Sequence, residues 1–543
     1  MLVLVARAES FLLRSPDQKV ETEIVVSDRI YYNLLFDGVE LMWLSPISMT
    51  LANGKALGVN PKLVKKTETQ VDESISTVWG VRSTVRNHYR QLRLDFEGAY
   101  SLVFRAYDDG VAYRFITAIK KEIVVKEEQV EYRFLENFAA TTHDVGDFQS
   151  SYEKFYTRQR ILDMKEDQFA SLPLLVHAKE AHLALLEADL FDYPGLYIQK
   201  PGMNSRTYLK GIFPHYPTRM EEGGWSQFNL RVTERADYVA KTNGNREFPW
   251  RAILVASDDR ELLDSDLVYK LSRPSQIPTA WIKPGKVAWD WWNDWNLEQM
   301  PFETGVNNRT YEYYIDFAAK NKLEYIILDE GWSDQFNLFL PKPDVDVPYL
   351  VDYADKKGVK LILWCVWHTL DRQMQDALDM FQAWGVAGVK VDFIDRDDQL
   401  AIRFYERLAA EAAKRQLLVD YHGCSKPTGL HRTYPNVINY EAVRGNEYNK
   451  FSQEGISPQH GVDLLFTRQL AGPMDYTPGA MRNATQGNWA PNNSLPMSLG
   501  TRARELAMYV CYYAPLQMLC DALPNTKIPD HSPFPSAVPT TWG

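Results

Sequence analysis

The sequence predicts a multidomain chain that joins an all-β part to an α/β part: an N-terminal β-sandwich followed by a (β/α)8 barrel. Three observations predict it. Short strands at close spacing fill the first half. Near Pro274-Ser-Gln-Ile-Pro278 the pattern changes to short apolar strands alternating with helical stretches. Polar and aromatic residues then cluster just past the predicted strand ends, where a barrel builds its site.

The sandwich is expected over residues 10–265. Glu23-Ile-Val-Val and Ile30-Tyr-Tyr-Asn-Leu-Leu-Phe are β-rich runs that meet the turn pair Asp37-Gly38. Leu92-Arg-Leu-Asp-Phe96 alternates with period two. Ser101–Tyr107 and Val111–Ile116 flank Asp108-Asp-Gly110 as a hairpin. The barrel is expected over residues 266–521. Its strands are read at Val287–Trp289, Tyr325–Leu328, Lys360–Cys365, Gly388–Val391, Leu417–Asp420, Val437–Tyr440, Gly472–Asp475 and Leu516–Cys520. Helical stretches such as Tyr311–Asn321 and Arg403–Arg415 fall between them. An open doubly wound sheet is the alternative, but no Gly-rich phosphate fingerprint follows any strand. Residues 522–543 are rich in proline and read as a tail.

Bulk properties narrow the partners. The 543 residues carry a net charge of −11 and no basic patch, which argues against nucleic acid. No run of apolar residues is long enough to span a membrane. The start, Met1–Ser10, looks like the tail of an apolar leader with a small-residue site near Ala6 to Ala8. Residues 1–9 are read as its remnant, so an exported, periplasmic protein is expected. The four cysteines share no metal-type spacing, and buried free thiols are the default. No pattern fixes an oligomeric state. Aromatic residues make up 13% of the chain, enough for faces on which the apolar C–H edges of sugar rings stack.

The strand ends carry the chemistry. In order they give Trp289-Asp290, Asp329-Glu330-Gly331-Trp332, Trp364 to His368, Lys390-Val-Asp392, Asp420-Tyr-His422, Glu441 to Glu447, and Asp475. Any one of these could cap a helix or fill a core. Seven such clusters at one barrel end, six of them carrying carboxylates, have no structural reason, because buried unpaired carboxylates each cost several kcal/mol. Cleaving a glycosidic bond needs two carboxyl groups flanking it. Asp392 and Glu447 follow the fourth and sixth strands, so they can face one another across the mouth. Lys390, two residues before Asp392, points to the same side and favours an ionised Asp392. Candidate sugar contacts are Trp289, Asp290, Asp329, Glu330, Trp332, Trp364, Lys390 and His422. Glu187, Glu441 and Glu447 show no EF-hand or zinc-type spacing.

These motifs resemble glycoside hydrolase family 97, bacterial α-glycosidases built from a β-sandwich, a catalytic barrel and a C-terminal β-domain. The resemblance rests on Glu187-Ala-Asp-Leu-Phe-Asp-Tyr-Pro-Gly195, Asp329–Trp332, Val389–Phe393, Glu441–Glu447 and Ala471–Gly479. The inverting branch carries its base just after the strand-five histidine, where this chain has Gly423 in His422-Gly-Cys-Ser-Lys-Pro427. The retaining branch is matched instead, which implies Asp392 as nucleophile and Glu447 as acid/base. The resemblance also implies a calcium ion held by Glu187, Glu441 and Glu447. The implied substrate is an oligosaccharide, cleaved by an exo-acting α-galactosidase. An inverting α-glucosidase, a β-L-arabinopyranosidase and a carbohydrate-binding pseudoenzyme are the alternatives. The family's C-terminal β-domain should begin where Val538–Gly543 ends the sequence, so that domain is expected to be missing from it.

Overall fold

A computed structural model describes residues 8–202, 206–298, 300–521 and 537–542. Residues 1–7, which hold most of the expected leader remnant, lie outside it, as does 522–536 of the tail. Glu9 already pairs with Val26 in the first strand.

The N-terminal part is β-rich, with seventeen strands hydrogen-bonded into one sheet system that folds back on itself. Its spine is the 24-residue strand Gly110–Arg133. That strand pairs along its length with Tyr100–Tyr107, Val39–Leu51, Tyr208–Ile212, Ala240–Glu247 and Trp250–Ala256. Alternation puts Val111, Tyr113, Phe115, Val125, Val130 and Tyr132 into the main core. The predicted hairpins are present: Phe36 pairs with Val39 across Asp37-Gly38, and Tyr107 with Gly110 across Asp108-Asp109. Two short helices, Asp259–Leu263 and Leu267–Leu271, then lay Leu262, Leu267, Val268 and Leu271 against Trp250 and Leu254. These helices, which straddle the expected boundary at 265, bury their apolar side on the sandwich.

The second part is a parallel barrel-like sheet. Its strands are β1 (Gly285–Trp289), β2 (Tyr325–Leu328), β3 (Lys360–Val366), β4 (Gly388–Asp392), β5 (Leu418–Tyr421), β6 (Val437–Tyr440) and β7 (Leu516–Leu519). They are ordered β6-β5-β4-β3-β2-β1-β7, each parallel to its neighbour. The strands are buried along almost their whole length, as a two-sided parallel sheet requires. The strand expected at Gly472–Asp475 is not one. The segment lies between β6 and β7, with Asp475 N donating to Tyr440 O (2.8 Å) and Met474 N to Tyr513 O (2.8 Å). Pro473 and Pro478 lack the N–H a ladder needs, and Thr477 turns left-handed at φ 60°. The segment fills the eighth place in the barrel without strand regularity. Helix α1 (Asn308–Lys320) and helix α2 (Gln399–Lys414) cover the expected helical stretches; Asn307 and Asp398 cap them by accepting from Thr310 N and Ala401 N. Among the described residues, no helix is long and apolar enough to cross a membrane.

A chain of buried charges joins the two parts. Arg251 donates to both oxygens of Glu128 (2.8 and 2.7 Å) and to Glu187 (2.8 Å). Glu187 faces Lys426 of the barrel at 2.7 Å, and Lys426 lies 3.6 Å from Asp397. The hydroxyls of Tyr152 and Tyr197 donate to Asp397 (2.8 and 2.6 Å). The motif Glu187–Gly195 supplies much of this seam: Asp189 N donates to Thr428 O and Gly195 N to Asp397 O, both 2.8 Å. A Cβ on Gly195 would stand 2.2 Å from the Asp397 carboxylate, so only glycine fits there. Removing the one barrel cation in this chain should be severe, since it leaves Asp397 buried with no counter-charge of its own. Lys426→Met is expected to destabilise the protein by about 3–5 kcal/mol, read as a lowered thermal unfolding midpoint. An unchanged midpoint would contradict the assignment.

Candidate active site

The mouth of the barrel collects the strand-end residues the sequence pointed to. Asp392 ends β4; its Oδ1 accepts from Phe393 N (2.7 Å) and its Oδ2 from the Trp364 indole (3.0 Å). Both oxygens are thereby oriented. Lys390 sits on the same side of β4, but its ammonium is given to Asp329 at 2.7 Å rather than to Asp392. Burial pushes the Asp392 carboxyl up; His422 and Lys390 oppose that shift and Glu441 adds to it. Lys390 favours the ionised form as expected, but at this buried site desolvation outweighs it.

Asp329 is the centre of a buried hydrogen-bonded cluster past the strand ends. It accepts from Lys390 and from the Trp289 indole (2.8 Å), and its own N–H donates to Asp290 (3.3 Å). Burial works against its charge, yet Lys390 holds it below the usual carboxylate range. Asp290 is pushed up to about 8 by burial and then by Asp329. Its Oδ1 is buried without a hydrogen-bond partner among the described residues. Glu330, beside them, is pushed up to about 7 by burial, then by Asp329 and Asp392. Two expected sugar contacts lie behind this surface. Trp332 donates to Trp364 O and packs against Phe381 and Trp384 in the core, and Trp289 supports Asp329 from within the barrel.

On the far side, β5 and β6 bring His422 between carboxylates. Its Nε2 lies 2.7 Å from Asp475 and 3.5 Å from Asp420, and its Nδ1 lies 3.4 Å from Glu441. Burial alone would lower the imidazole, but Glu441 and Asp420 carry it well above its ordinary value. Glu447 opens the short turn Tyr448–Phe451 and accepts from the Trp291 indole (3.2 Å). Burial and then Glu441 push Glu447 up to about 8. That is the property a general acid needs near neutrality.

Among the described residues, three groups of donors could each hold a metal ion: Asp392 with His422 and Glu441, Asp420 with His422 and Asp475, and Glu153 with Glu441 and Glu447. Glu441 belongs to the first and the third, so both Asp392 and Glu447 lie close to it. Glu187 is in none of them. Its oxygens are occupied by Arg251, Lys426 and the Leu196 N–H (2.9 Å) at the domain seam. The structure does not bring Glu187, expected as a ligand, to Glu441 and Glu447: its strand points it into the seam, and the sandwich carboxylate beside those two is Glu153. No sequence signal marked Glu153, which lies on an irregular loop in Ser150-Ser-Tyr-Glu-Lys. Tyr152, next to it, is left-handed (φ 65°) and is tied to Asp397 by its hydroxyl.

Gly423 meets Asp392 directly. Its φ is +44°, and a Cβ there would stand 2.7 Å from Phe393 N and 2.9 Å from Asp392 Oδ1. A side chain at 423 and a carboxylate at 392 in this position exclude one another.

A barrel mouth with this paired-carboxylate arrangement defines a glycoside hydrolase. The chain belongs to glycoside hydrolase family 97: the family's N-terminal description matches residues 13–274 and "Glycoside hydrolase 97" matches residues 291–443. It is similar to a retaining alpha-galactosidase of Bacteroides thetaiotaomicron, 43% identical over 98% of this chain and 83% of that protein. Among solved structures it is similar to a family 97 enzyme from Pseudoalteromonas sp. strain K8 in complex with acarbose (TM-score 0.84, 25% identity, 98% of this chain and 84% of that one), also solved with panose. It shares its fold with a beta-arabinopyranosidase at TM-score 0.79 and 22% identity, covering 98% of this chain and 86% of that one.

The Gly423 contact yields a direct test. Gly423→Ala should lower kcat about 100-fold, because a shift of the nucleophile by as little as an ångström has that effect. The fold should be retained by circular dichroism, and near-normal turnover would show that Asp392 does not work from this position.

Proposed function

We propose that the chain is an exo-acting α-galactosidase that cleaves oligosaccharides with retention of configuration. The observation that carries retention is the contact of Gly423 with Asp392. No carboxylate can stand at 423 to activate a water while Asp392 holds its place, which disfavours the inverting α-glucosidase. The likeness to the Bacteroides enzyme supports the galactoside. A pseudoenzyme is disfavoured by an intact carboxylate pair set in contrasting environments, one group pinned by two donors and the other pushed up to about 8.

In this reading an Asp392 oxygen attacks the anomeric carbon from the face opposite the leaving oxygen. The glycosidic C–O bond breaks as Glu447 passes its proton to that oxygen. Glu447, now ionised, takes a proton from water, and the resulting hydroxide displaces Asp392 to release the sugar with its original anomeric configuration. The unpaired Oδ1 atoms of Asp290 and Asp475 are acceptors for sugar hydroxyls.

The residues also fit calcium. Glu153, Glu441 and Glu447 are hard oxygen donors converging within 4.8 Å of one another, and like charges so placed favour a divalent cation. Bound there, the ion would supply positive charge beside the leaving-group oxygen. It would also work against the raised pKa of Glu447, so burial and Glu441 are what keep that acid protonated.

Product anomers followed by NMR should show α-galactose first, and Asp392→Gly should recover cleavage of an activated α-galactoside with azide, giving the β-galactosyl azide. First appearance of β-galactose would return the inverting reading to first place. Calcium should restore activity to chelator-treated enzyme. In calorimetric titration Glu153→Ala should lose calcium binding, whereas Glu187→Ala should lower the thermal midpoint more than the affinity. The reverse pattern would reinstate Glu187 as the ligand.

A further inference from the structure

One hairpin leaves the sandwich and ends at the barrel mouth. Its strands, Pro217–Gly223 and Asn229–Arg235, pair antiparallel. The tip is held firmly. Phe228 is 2% exposed, with its ring 5.8 Å from Trp364 and 5.0 Å from Phe393. Trp364 donates to Asp392, and Phe393 follows Asp392 in the chain, so Phe228 packs on the two residues that orient the nucleophile. Asn229 donates to Phe393 O (3.0 Å) and to Asp395 (2.7 Å). His368 Nε2 lies 3.3 Å from Gln227 O.

Against this anchorage, Trp225 at the tip is 72% exposed, more than any other large exposed hydrophobic side chain among the described residues. The two residues after it, Ser226 (φ 47°) and Gln227 (φ 64°), both adopt the left-handed region without being glycine. Such strain persists only where surrounding contacts impose it, and it concentrates at functional sites. Phe336, 40% exposed, lies 6.3 Å from Phe228 and 6.1 Å from His368. Two exposed aromatic side chains thus stand near an anchored ring, Trp225 three residues before it in the chain and Phe336 in contact range. Neither fold stability nor the glycone pocket accounts for them.

We propose that Trp225, with Phe336, forms a platform for the leaving-group saccharide of the substrate. The pocket floor is closed by Asp290, Asp329 and Lys390, so any sugar beyond the cleaved bond must leave through the rim. The apolar C–H face of a pyranose stacks on an indole, which also tolerates variation in linkage because the contact has no fixed hydrogen-bond register. The sandwich then has a second role: it delivers Glu153 to the site and, on a separate hairpin, part of the specificity for the substrate's outer unit.

This inference rests on the α-galactosidase reading, and the experiment separates the two. Raffinose, whose leaving group is a disaccharide, and α-galactosyl fluoride, whose leaving group is one atom, are compared in wild type, Trp225→Ala and Trp225→Phe. Trp225→Ala should raise KM for raffinose about fivefold or more with kcat little changed. Its effect on the fluoride should be far smaller, and Trp225→Phe should recover most of the raffinose affinity. A raffinose KM equal to wild type in Trp225→Ala overturns the platform. So does an equal loss on both substrates, which would make the hairpin a support for Asp392. Wild-type enzyme that turns over neither substrate would instead overturn the α-galactosidase reading beneath it.

Discussion

The structure depends on a row of charges that water cannot reach. Glu128, Arg251, Glu187, Lys426 and Asp397 run from the core of the sandwich into the barrel, alternating in sign and almost fully buried. Burying each alone would be costly, and the row is tolerable only because every member has its neighbours in place. That requirement fixes the position of one domain on the other more sharply than apolar contact could, since apolar packing has no sign and little direction. The row ends on the two tyrosines at Asp397. Tyr152 stands next to Glu153, and Asp397 lies on the loop that follows Asp392. The seam therefore sets the relative positions of a carboxylate from the sandwich and the loop beyond Asp392.

The site applies a different logic to the same kind of residue. Its carboxylates are held in contrasting states. Asp329 is kept low by Lys390, while Asp290 and Glu447 are pushed up by burial and by acidic neighbours. A glycosidase with one attacking and one protonating carboxyl needs such divergence, and pairs pushed apart in this way mark acid and base assignments. Lys390 and His422 are two cations that face this pool directly. Both are committed to partners other than Asp392, Lys390 to Asp329 and His422 to Asp475. Asp392 is oriented by neutral donors instead, the Trp364 indole and a backbone N–H, which leave its charge available for attack.

Gly423 is a single backbone position on which the proposed retaining mechanism depends. The loop after β5 passes so close to β4 that a side chain at 423 would occupy the space of the Asp392 carboxylate.

Much of this was legible along the chain. Short parallel strands buried on both faces appear as brief apolar runs, and those at Tyr325–Leu328 and Val437–Tyr440 coincide with the predicted bounds. The acidic residues past most strand ends were legible for the same reason: strand alternation and the barrel's geometry place them at one mouth. Gly472–Asp475 reads as a strand from its mostly apolar composition, while Pro473 lacks the N–H that a ladder needs. Glu153, the destination of Glu187 and the reach of the Trp225 hairpin were decided only by tertiary structure. Each depends on contacts between residues hundreds of positions apart, across a seam set by charge pairing and steric fit. Local periodicity tells which way a side chain leaves its strand, but not what it meets.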